Sequence, residues 1–442
     1  MSESDDKKVP QGRLSRLASL ASVGMRSGAS LLLSRAGKSG DAAGRAADVL
    51  GQLRGLAAKA GQMAGYVDGV IPAEHRESWE TALEVLQAAA PRSSTAEIRA
   101  LVESELKAPI DLLFAEWDDQ PVASASIGQV HRARLPDSLG GGEVAVKVQH
   151  PGIARALEAD LKNAGMLESL GAALGGRRLN SKEVLAAIRA RFREELDYSL
   201  EATRMELFRP LCDARIRIAP VIRERSTSRV LSTGFVRGKR FNEACLEPET
   251  ARAAWAATMW RFLFRGNLVL AHFNADPHPG NYFFHDDGAV TFLDFGCVNP
   301  ILPRQLGMAR AIHRAAIDRD EARFREEVRV RMPTRAGRLE KPSLDYIRRC
   351  FEPLFGSPAR LTREYAASLV EGMKELGKLA LTTPEKELFQ MPEDMVFMNR
   401  LQFGFYSVLA RLDVEVDYAQ IERDIWPEVQ QAISRTMTDT MH

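Results

Sequence analysis

The spacing of apolar and polar residues divides the chain into a tail, a helical region and two lobes. Runs with the composition of β-strands, such as 143–148 and 229–236, fall in the first lobe, whereas helical spacing dominates the second. The predicted fold class is therefore α+β with two lobes. The predicted regions are a basic amphipathic or flexible tail at 1–40, a helical extension at 41–120, a first lobe with strands and inserted helices at 121–236, and a mostly helical second lobe at 237–442.

Helical spacing also predicts individual elements. In the second lobe it extends over 304–331, 361–381 and 393–413, and an apolar helix is predicted to end near His272. In the first lobe it predicts one continuous helix from about 181 to 208.

The side chains that kinase-type phosphoryl transfer requires follow the helix that ends near His272. Asp276 and Asn281 are spaced like the base and the metal ligand of a kinase catalytic loop, and Asp294 begins the sequence Asp-Phe-Gly. The run 288–293 is predicted to be a hairpin strand that delivers Asp294. Each short string alone is equally typical of an ordinary turn. Together they predict that Asp276 orients an acceptor while Asn281 and Asp294 hold Mg²⁺.

The strand at 143–148 carries a lysine that matches the phosphate-binding lysine of kinases. Lys147 follows Val-Ala-Val, like the lysine of V-A-I-K, and apolar residues flank it. A strand lysine is commonly a solvated edge residue, but these flanks favour burial beside an anionic partner. The preceding loop is in register with G-x-G-x-x-G-x-V, with alanine at the first two glycine positions, so it should cover a nucleotide differently. Its predicted nucleotide-binding residues are Ala123, Ser124, Ala125, Ser126, Ile127, Gly128, Gln129 and Val130.

An acidic stretch in the helix predicted at 181–208 supplies a candidate partner for Lys147. Asp197 and Glu201 are four residues apart and would share a helix face. Glu201 is predicted to pair with Lys147, which leaves Asp197 for metal or phosphate. In isolation, a solvated acidic face paired with nearby arginines is the commoner role of such residues. Those arginines are Arg189, Arg191 and Arg193.

These motifs resemble the UbiB-like atypical kinase family, also known as AarF-domain or ADCK kinases, which is associated with coenzyme Q. Lys59 and Gln62 match its K-x-G-Q motif, residues 123–130 its Ala-rich loop, and Glu195 with Asp197 its E-x-D motif. The resemblance implies a protein-kinase-like fold that binds ATP or ADP with Mg²⁺ between two lobes. It also implies that Lys59 and Gln62 lean toward the nucleotide and that Glu195 pairs with Lys59.

The kinase pattern implies further parts of the site. Backbone groups near Phe235 and Val236 are expected to contact adenine, and Lys147, fixed by Glu201, is expected to steady the α- and β-phosphates. The family usually has histidine where this chain has Asn274, and that histidine braces the Asp-Phe-Gly backbone. Asparagine can still hydrogen-bond a carbonyl, so the loop can hold, but its rigidity is expected to be less secure than with histidine.

The sequence after Asp-Phe-Gly bears on the acceptor. A helical pattern begins near Arg304, without A-P-E and without the long activation segment on which a protein kinase seats its peptide. The sequence therefore favours a small molecule, a lipid-linked acceptor or plain ATP hydrolysis over a protein substrate. The family resemblance implies an ATPase coupled to quinone or other isoprenoid-lipid metabolism. Two rivals stay open: a small-molecule phosphotransferase of the aminoglycoside or choline kinase type, and a catalytically weak nucleotide-binding scaffold.

Composition and charge indicate which binding partners and which cellular compartment to expect. The formal net charge of +1 gives no reason to expect nucleic acid, and 4 scattered cysteines without C-x-x-C are typical of reduced thiols in the cytoplasm. No apolar stretch has the length of a membrane span. The basic amphipathic stretch at 7–40 could contact an anionic membrane, dock on the lobes or be flexible. Predicted partners are a nucleotide, an anionic membrane surface and a quinone-precursor-like lipid, for a cytoplasmic protein peripheral to the membrane; a homodimer stays open.

Overall fold

The described chain divides into two units. The structure is a computed structural model, and it describes residues 93–124, 127–156, 158, 193–331, 337–383 and 393–439. The first unit contains the described residues of 93–200 together with Pro220–Phe235. The second contains Glu201–Ala219 and the described residues from 236 onward. The four predicted domain ranges stay predictions, and four site candidates lie outside the described residues. These are Lys59, Gln62, Ala125 and Ser126.

The first unit is built on an antiparallel sheet whose strand order is β1-β3-β4-β6, with β2 also paired to β3. Among the described residues, two helices precede this sheet in the chain. The bounds are α1 Thr95–Leu106, α2 Ile110–Leu113, β1 Glu116–Trp117, β2 Ala123–Ser124, β3 Gly128–Arg134, β4 Glu143–Gln149 and β6 Val230–Gly234. The strands predicted at 143–148 and 229–236 are confirmed as β4 and β6.

One face of this sheet is buried against α1 and α2. Val144, Val146 and Val148 point to that face because alternate residues of a strand share a side, and none is more than 1% exposed. They form one hydrophobic cluster with residues of α1 such as Ile98. Because Lys147 stands between two of these valines in β4, its side chain lies on the opposite face of the sheet.

The second unit is mostly helical, as predicted, with short strands between its helices. Its helices are the later part of α3 Tyr198–Phe208, then α4 Phe241–Ala244, α5 Glu249–Leu268, α6 Pro303–Ile317, α7 Glu321–Arg331, α8 Glu340–Cys350, α9 Glu352–Phe355, α10 Arg363–Thr382, α11 Glu393–Leu412 and α12 Tyr418–Asp439. Its strands are β5 Ile216–Ile218, β7 His272–Asn274, β8 Tyr282–Phe284, β9 Val290–Phe292, β10 Val298–Pro300, β11 Ala359–Arg360 and β12 Glu415–Val416.

These short strands pair in three sheets. Strand β9 pairs parallel with β5 and antiparallel with β8, as the predicted hairpin requires. Strand β7 pairs with β10, and β11 pairs with β12. The tight turn between β8 and β9 uses Gly288, whose φ of +77° is open to glycine but disfavoured for other residues. The hairpin thus leads directly into Asp294.

Trp260 of α5 lies in the core of the second unit. It is 1% exposed, and its ring lies 4.6 Å from Phe264 and 4.3 Å from Tyr418 between centroids. Its indole nitrogen donates to Glu422 at 3.1 Å, and the other oxygen of that buried carboxylate lies 2.8 Å from His313 Nδ1. This network joins α5, α6 and α12, and thereby anchors the helix that precedes the candidate catalytic loop.

The predicted continuous helix at 181–208 is wrong near its centre, since residues 195–197 form a turn and α3 begins at Tyr198. The Asp197 carboxylate accepts a hydrogen bond from the Ser199 amide at 2.9 Å. A side chain that binds amides of the first helical turn starts a new helix rather than continuing the old one. Asp197 and Glu201 therefore do not share a helix face.

The predicted helix at 304–331 is also two helices, because α6 ends at Ile317 and α7 begins at Glu321. Arg319 between them has a φ of 57°, which is incompatible with a continuing helix. Asp320 then accepts from the Arg323 amide at 2.9 Å and starts the second helix.

Across the described ranges, we find no helix that combines the length and apolarity of a membrane span. All four cysteines are free thiols; Cys297 and Cys350 are buried and Cys212 is exposed.

Candidate active site

Strand register fixes the position of Lys147 in the first unit. Lys147 pairs with Val130 of β3 on one side and with Leu231 of β6 on the other. Directly paired residues of neighbouring strands share a sheet face. The lysine side chain, which is partly buried, therefore rises from the middle of the sheet on the side away from α1 and α2.

Gly128, at the end of the candidate nucleotide loop, has no room for a side chain. A Cβ on this residue would lie 2.5 Å from the Val148 carbonyl oxygen and 2.7 Å from the Tyr198 hydroxyl oxygen. Even alanine would force one of these groups to move. The close approach of strand β4 and of Tyr198 therefore explains why glycine stands here, although alanine replaces the two earlier loop glycines.

Gln129, a predicted nucleotide-binding residue, directs its side chain into the first unit. It is 1% exposed; its Oε1 accepts from the Ser93 amide at 3.0 Å, and its Nε2 lies 2.9 Å from His131 Nε2. His131 stacks on Trp117, with ring centroids 4.8 Å apart. Burial lowers the pKa of His131 below its ordinary value of 6.5. The Gln129 side chain is therefore engaged within the first unit, on the face of the sheet opposite Lys147.

The E-x-D segment is fastened to the strand that carries Lys147. Gln149, at the end of β4, donates from Nε2 to the Leu196 carbonyl at 2.7 Å and to the Ser228 carbonyl at 3.2 Å. The Tyr198 amide donates to the same Ser228 oxygen at 2.9 Å. Gln149 is 3% exposed, so these bonds are shielded from water.

Tyr198 directly follows the E-x-D motif and is a residue that sequence reasoning missed. Its ring centroid lies 4.9 Å from Lys147 Nζ, within the range of a cation–π contact. It is 1% exposed. The only available signal was an aromatic residue inside an acidic stretch, and such a residue is more typical of a core position.

In the second unit, Asn274 links the two acidic residues of the candidate site. Its Nδ2 donates to the Asp294 carbonyl at 2.6 Å, and its Oδ1 accepts from the Asp276 amide at 3.2 Å. The pairing of β7 with β10, which sets Asn274 opposite Val298, holds it in this position. The prediction that asparagine can hydrogen-bond a carbonyl here is confirmed.

Asn281 closes the loop from its other end. Its Nδ2 donates to the Asp276 carbonyl at 3.0 Å and lies 3.4 Å from the Asp276 carboxylate. Its own carbonyl accepts from the Leu293 amide at 3.0 Å. The Asp294 carboxylate accepts from the Gly296 amide at 2.8 Å. The structure therefore brings Asp276, Asn281 and Asp294 together.

Two contacts anchor the Asp-Phe-Gly segment to the interior of the second unit. Phe295 is fully buried, and its ring centroid lies 5.3 Å from that of Phe208 at the end of α3. Arg204, also on α3, donates to the Gly296 carbonyl at 2.6 Å. Sequence reasoning missed Arg204, because an arginine on a helix surface gives no sign that it will bind a distant carbonyl.

Tyr282 lies beside this loop at the start of β8. Burial raises its pKa, and the negative charge of Asp276 raises it further. The phenol therefore stays neutral and places an uncharged, apolar ring next to Asp276.

Within the described residues, no three His, Cys, Asp or Glu side chains are grouped to hold a metal ion.

The roles of the predicted site residues stay predictions. Glu201 is 4% exposed, but its pairing with Lys147 would join residues of the two units. Glu195, the predicted partner of Lys59, is partly buried. The backbone amide of Phe235 donates to the Glu143 carbonyl of β4 at 3.0 Å. The predicted adenine contacts of Phe235 and Val236 rest on the kinase pattern alone.

The ABC1 atypical kinase-like domain matches residues 85–328, which is more than half of the chain and includes Lys147 and Asp294. The chain belongs to this family. The resemblance to UbiB-like atypical kinases is thereby confirmed. Membership supports phosphotransfer-type activity in general, without specifying the acceptor.

Curated relatives carry names from the same family. The mitochondrial atypical kinase coq-8 of Caenorhabditis elegans is 26% identical over 322 residues, 71% of this chain and 42% of that protein. The chloroplastic protein Activity of bc1 complex kinase 7 of Arabidopsis thaliana is 31% identical over 256 residues, 55% of this chain and 35% of that protein. The chain thus spans less than half the length of these relatives.

A solved structure supports the fold. Rv3197 of Mycobacterium tuberculosis, in complex with erythromycin, matches with a TM-score of 0.59 and 24% identity, over 82% of this chain and 89% of that one. At this identity the match shows a shared architecture. The two-lobed, kinase-like α+β fold predicted from the sequence is confirmed.

Proposed function

We propose that this chain is an atypical kinase or ATPase that binds Mg-ATP and supports coenzyme Q or other isoprenoid-lipid metabolism rather than phosphorylating proteins. Family membership supports the general class of chemistry. The observation that carries the proposal is the linkage of Asp276 and Asp294 through Asn274, with Asn281 bonded to Asp276. This arrangement supports the proposal because hydrogen bonds hold close together the three side chains that phosphoryl transfer would use.

The donor atoms of this loop fit Mg²⁺. Because the Asn281 Nδ2 donates to the Asp276 carbonyl, its Oδ1 is the oxygen that would act as a ligand. The Gly296 amide fixes the orientation of the Asp294 carboxylate. Carboxylate and amide oxygens are hard ligands of the kind Mg²⁺ prefers, and Mg²⁺ commonly takes few protein ligands and completes its shell with phosphate oxygens and water. When bound, the ion would neutralise charge that develops on the phosphates.

The remaining residues would position the reactants. Asp276, whose backbone is held from both sides, would orient an acceptor hydroxyl or a water molecule. Lys147 would contact the α- and β-phosphates, and Phe235 and Val236 the adenine. Such a site accelerates the reaction by positioning and charge neutralisation.

The chain after Asp-Phe-Gly supports a non-protein acceptor. Only Ile301 and Leu302 separate β10 from α6, so this stretch offers no long activation segment. Protein kinases use that segment to seat a peptide. A lipid-linked small molecule, or water in a plain ATPase reaction, suits this chain better. The association of the resembled family with coenzyme Q favours a quinone-precursor-like lipid, and the basic stretch at 7–40 favours access from an anionic membrane surface.

The experiment measures ADP release from Mg-ATP by the purified protein, alone, with anionic liposomes, and with a phenol that resembles a quinone precursor. We expect hydrolysis that liposomes and the phenol stimulate, and its loss in Asp294→Asn. The matched control is Asp286→Asn, which removes a carboxylate that is 87% exposed in the β8–β9 turn and pairs with Lys239. This control should hydrolyse ATP like the wild type.

The other outcomes identify the rival functions. Tight nucleotide binding without hydrolysis under every condition would indicate a scaffold, and rapid phosphorylation of a soluble metabolite would indicate a small-molecule phosphotransferase. Wild-type protein that binds no nucleotide would contradict all three.

A further inference from the structure

We infer that Tyr198 is a positioning residue for Lys147: its ring holds the lysine ammonium group in place for the phosphates of the nucleotide. This inference rests on the proposed function, because it assigns a task at the same site. Tyr198 and Lys147 both belong to the first unit. Nζ lies 4.9 Å from the ring centroid, and an ammonium group over an aromatic face is attracted by the electron-rich ring.

The ring is itself held rigidly, which a positioning role requires. Tyr198 is 1% exposed. Its amide donates to the Ser228 carbonyl at 2.9 Å, and Gln149 donates to that same carbonyl at 3.2 Å. Gln149 and Lys147 both belong to strand β4. The backbone of this strand therefore helps to position both the ring and the lysine. Contact with a fixed ring restricts the rotamers of a long lysine side chain.

The hydroxyl end of Tyr198 meets the candidate nucleotide loop. A Cβ on Gly128 would lie 2.7 Å from the hydroxyl oxygen, so the side chain lies against the Gly128 backbone. Tyr198 therefore contacts both elements that the kinase pattern assigns to the phosphates, the strand lysine and the loop glycine.

The first test observes the contact without nucleotide. Reductive methylation with ¹³C-formaldehyde labels lysine amines while keeping their charge, and the signal that disappears in Lys147→Arg belongs to Lys147. We expect the Lys147 methyl resonance to be shifted upfield by the ring current of Tyr198. Tyr198→Phe, which retains the ring, should retain the shift, and Tyr198→Leu should lose it.

The second test measures the consequence by equilibrium binding of Mg-ATP. We expect Tyr198→Leu to raise Kd about 3- to 10-fold, the range of a moderate cation–π contact, and Tyr198→Phe to stay within about twofold of the wild type. In a Lys147→Met background, Tyr198→Leu should have little further effect, because the ring acts through the lysine. A residue that merely stabilises the fold would show no such dependence on Lys147.

A buried tyrosine is sensitive to replacement, so two controls separate positioning from folding. Phe114→Leu removes a comparably buried ring from the opposite face of the sheet and should leave both the Lys147 resonance and Kd unchanged. Trifluorinated phenylalanine at position 198 keeps the shape of the ring but weakens its negative face, and should raise Kd relative to Tyr198→Phe.

Three results would overturn the inference. The first is a Lys147 resonance that Tyr198→Leu does not move. The second is a ring-current shift accompanied by equal Kd values for the Phe, trifluorinated and Leu variants. The third is wild-type protein that binds no Mg-ATP; this failure appears before any substitution is made and therefore identifies the proposed function itself as wrong.

Discussion

The region around Lys147 and the region around Asp294 are ordered by different means. Lys147 is placed by a long strand whose alternate valines are buried, so its position depends on many weak contacts. Asp294 follows a three-residue strand and is held by individual hydrogen bonds from Asn274 and Gly296. A single substitution should therefore disturb function much more than stability near Asp294, whereas near Lys147 steric changes should disturb both.

The largest expected effect on catalysis is in the region around Asp294. Asp276→Asn keeps the size of the side chain but removes its charge, so catalysis should fall about 100-fold or more while the Kd of Mg-ATP changes little. Steady-state hydrolysis and equilibrium binding measure the two quantities. The exposed carboxylate variant Asp286→Asn is the control. An equal loss of binding and catalysis would contradict the role assigned to Asp276.

In the region around Lys147, Gly128→Ala should create a steric clash. Its Cβ would lie 2.5 Å from the Val148 carbonyl oxygen, so strand β4 or the loop must shift. We expect a loss of about 1–3 kcal/mol in the free energy of unfolding, as for overpacked sites, together with an increase of about tenfold in the Kd of Mg-ATP. Urea denaturation and binding measurements check both.

The matched control for that change is Gly142→Ala, because a Cβ on Gly142 would meet no atom within 4 Å. If Gly128→Ala and Gly142→Ala change the free energy of unfolding and the Kd of Mg-ATP equally, the loop does not pack closely against Val148 and Tyr198.

A smaller effect is expected from Asn274→Ala. The change removes the hydrogen bonds to the Asp294 carbonyl and the Asp276 amide. At the lower part of the usual range, about 0.5–0.7 kcal/mol for each such bond, the loss of both should lower kcat roughly fivefold to tenfold. Asn242→Ala, at an exposed position of α4, is the control. An unchanged kcat would mean that Asn274 does not order the loop.

The smallest expected effect concerns pH and the first unit. Because the folded-state pKa of His131 is below its ordinary value of 6.5, the unfolded chain binds a proton near that pH that the folded chain does not. Stability should therefore fall as the pH drops below about 6.5, with this residue contributing at most about 1.4 kcal/mol per pH unit. Urea titrations at several pH values should show a weaker pH dependence for His131→Gln. An identical dependence would contradict the assignment.

Sequence patterns predicted the parts of the fold in which local spacing determines the structure. Strand β4 and the β8–β9 hairpin follow from residues that are close in sequence. The bond from Asn274 to the Asp294 carbonyl, 20 residues away, was instead expected from the histidine that the resembled family has at this position. The breaks at 195–197 and around Arg319 were missed, because helical periodicity continues across a capping residue. Asp197 before Ser199 was a usable signal for the first break.

Parts of the candidate site that depend on distant contacts could not be predicted. Arg204 binds a carbonyl 92 residues away in the chain, and Tyr198 becomes significant only when strand pairing brings Lys147 beneath its ring. Such contacts are set by tertiary packing, for which one sequence carries no periodic signal. The kinase pattern identified the chemistry, whereas the side chains that hold it in place required the fold.

The most direct test of the account is the Mg²⁺ dependence of ATP binding in the wild type and in Asp294→Asn. Isothermal titration with Mg²⁺, and again with excess chelator, should show that wild-type affinity falls about tenfold or more when the metal is removed. Asp294→Asn should bind ATP equally weakly under both conditions, because it lacks the carboxylate that would hold the ion. An unchanged metal dependence in Asp294→Asn would contradict the account.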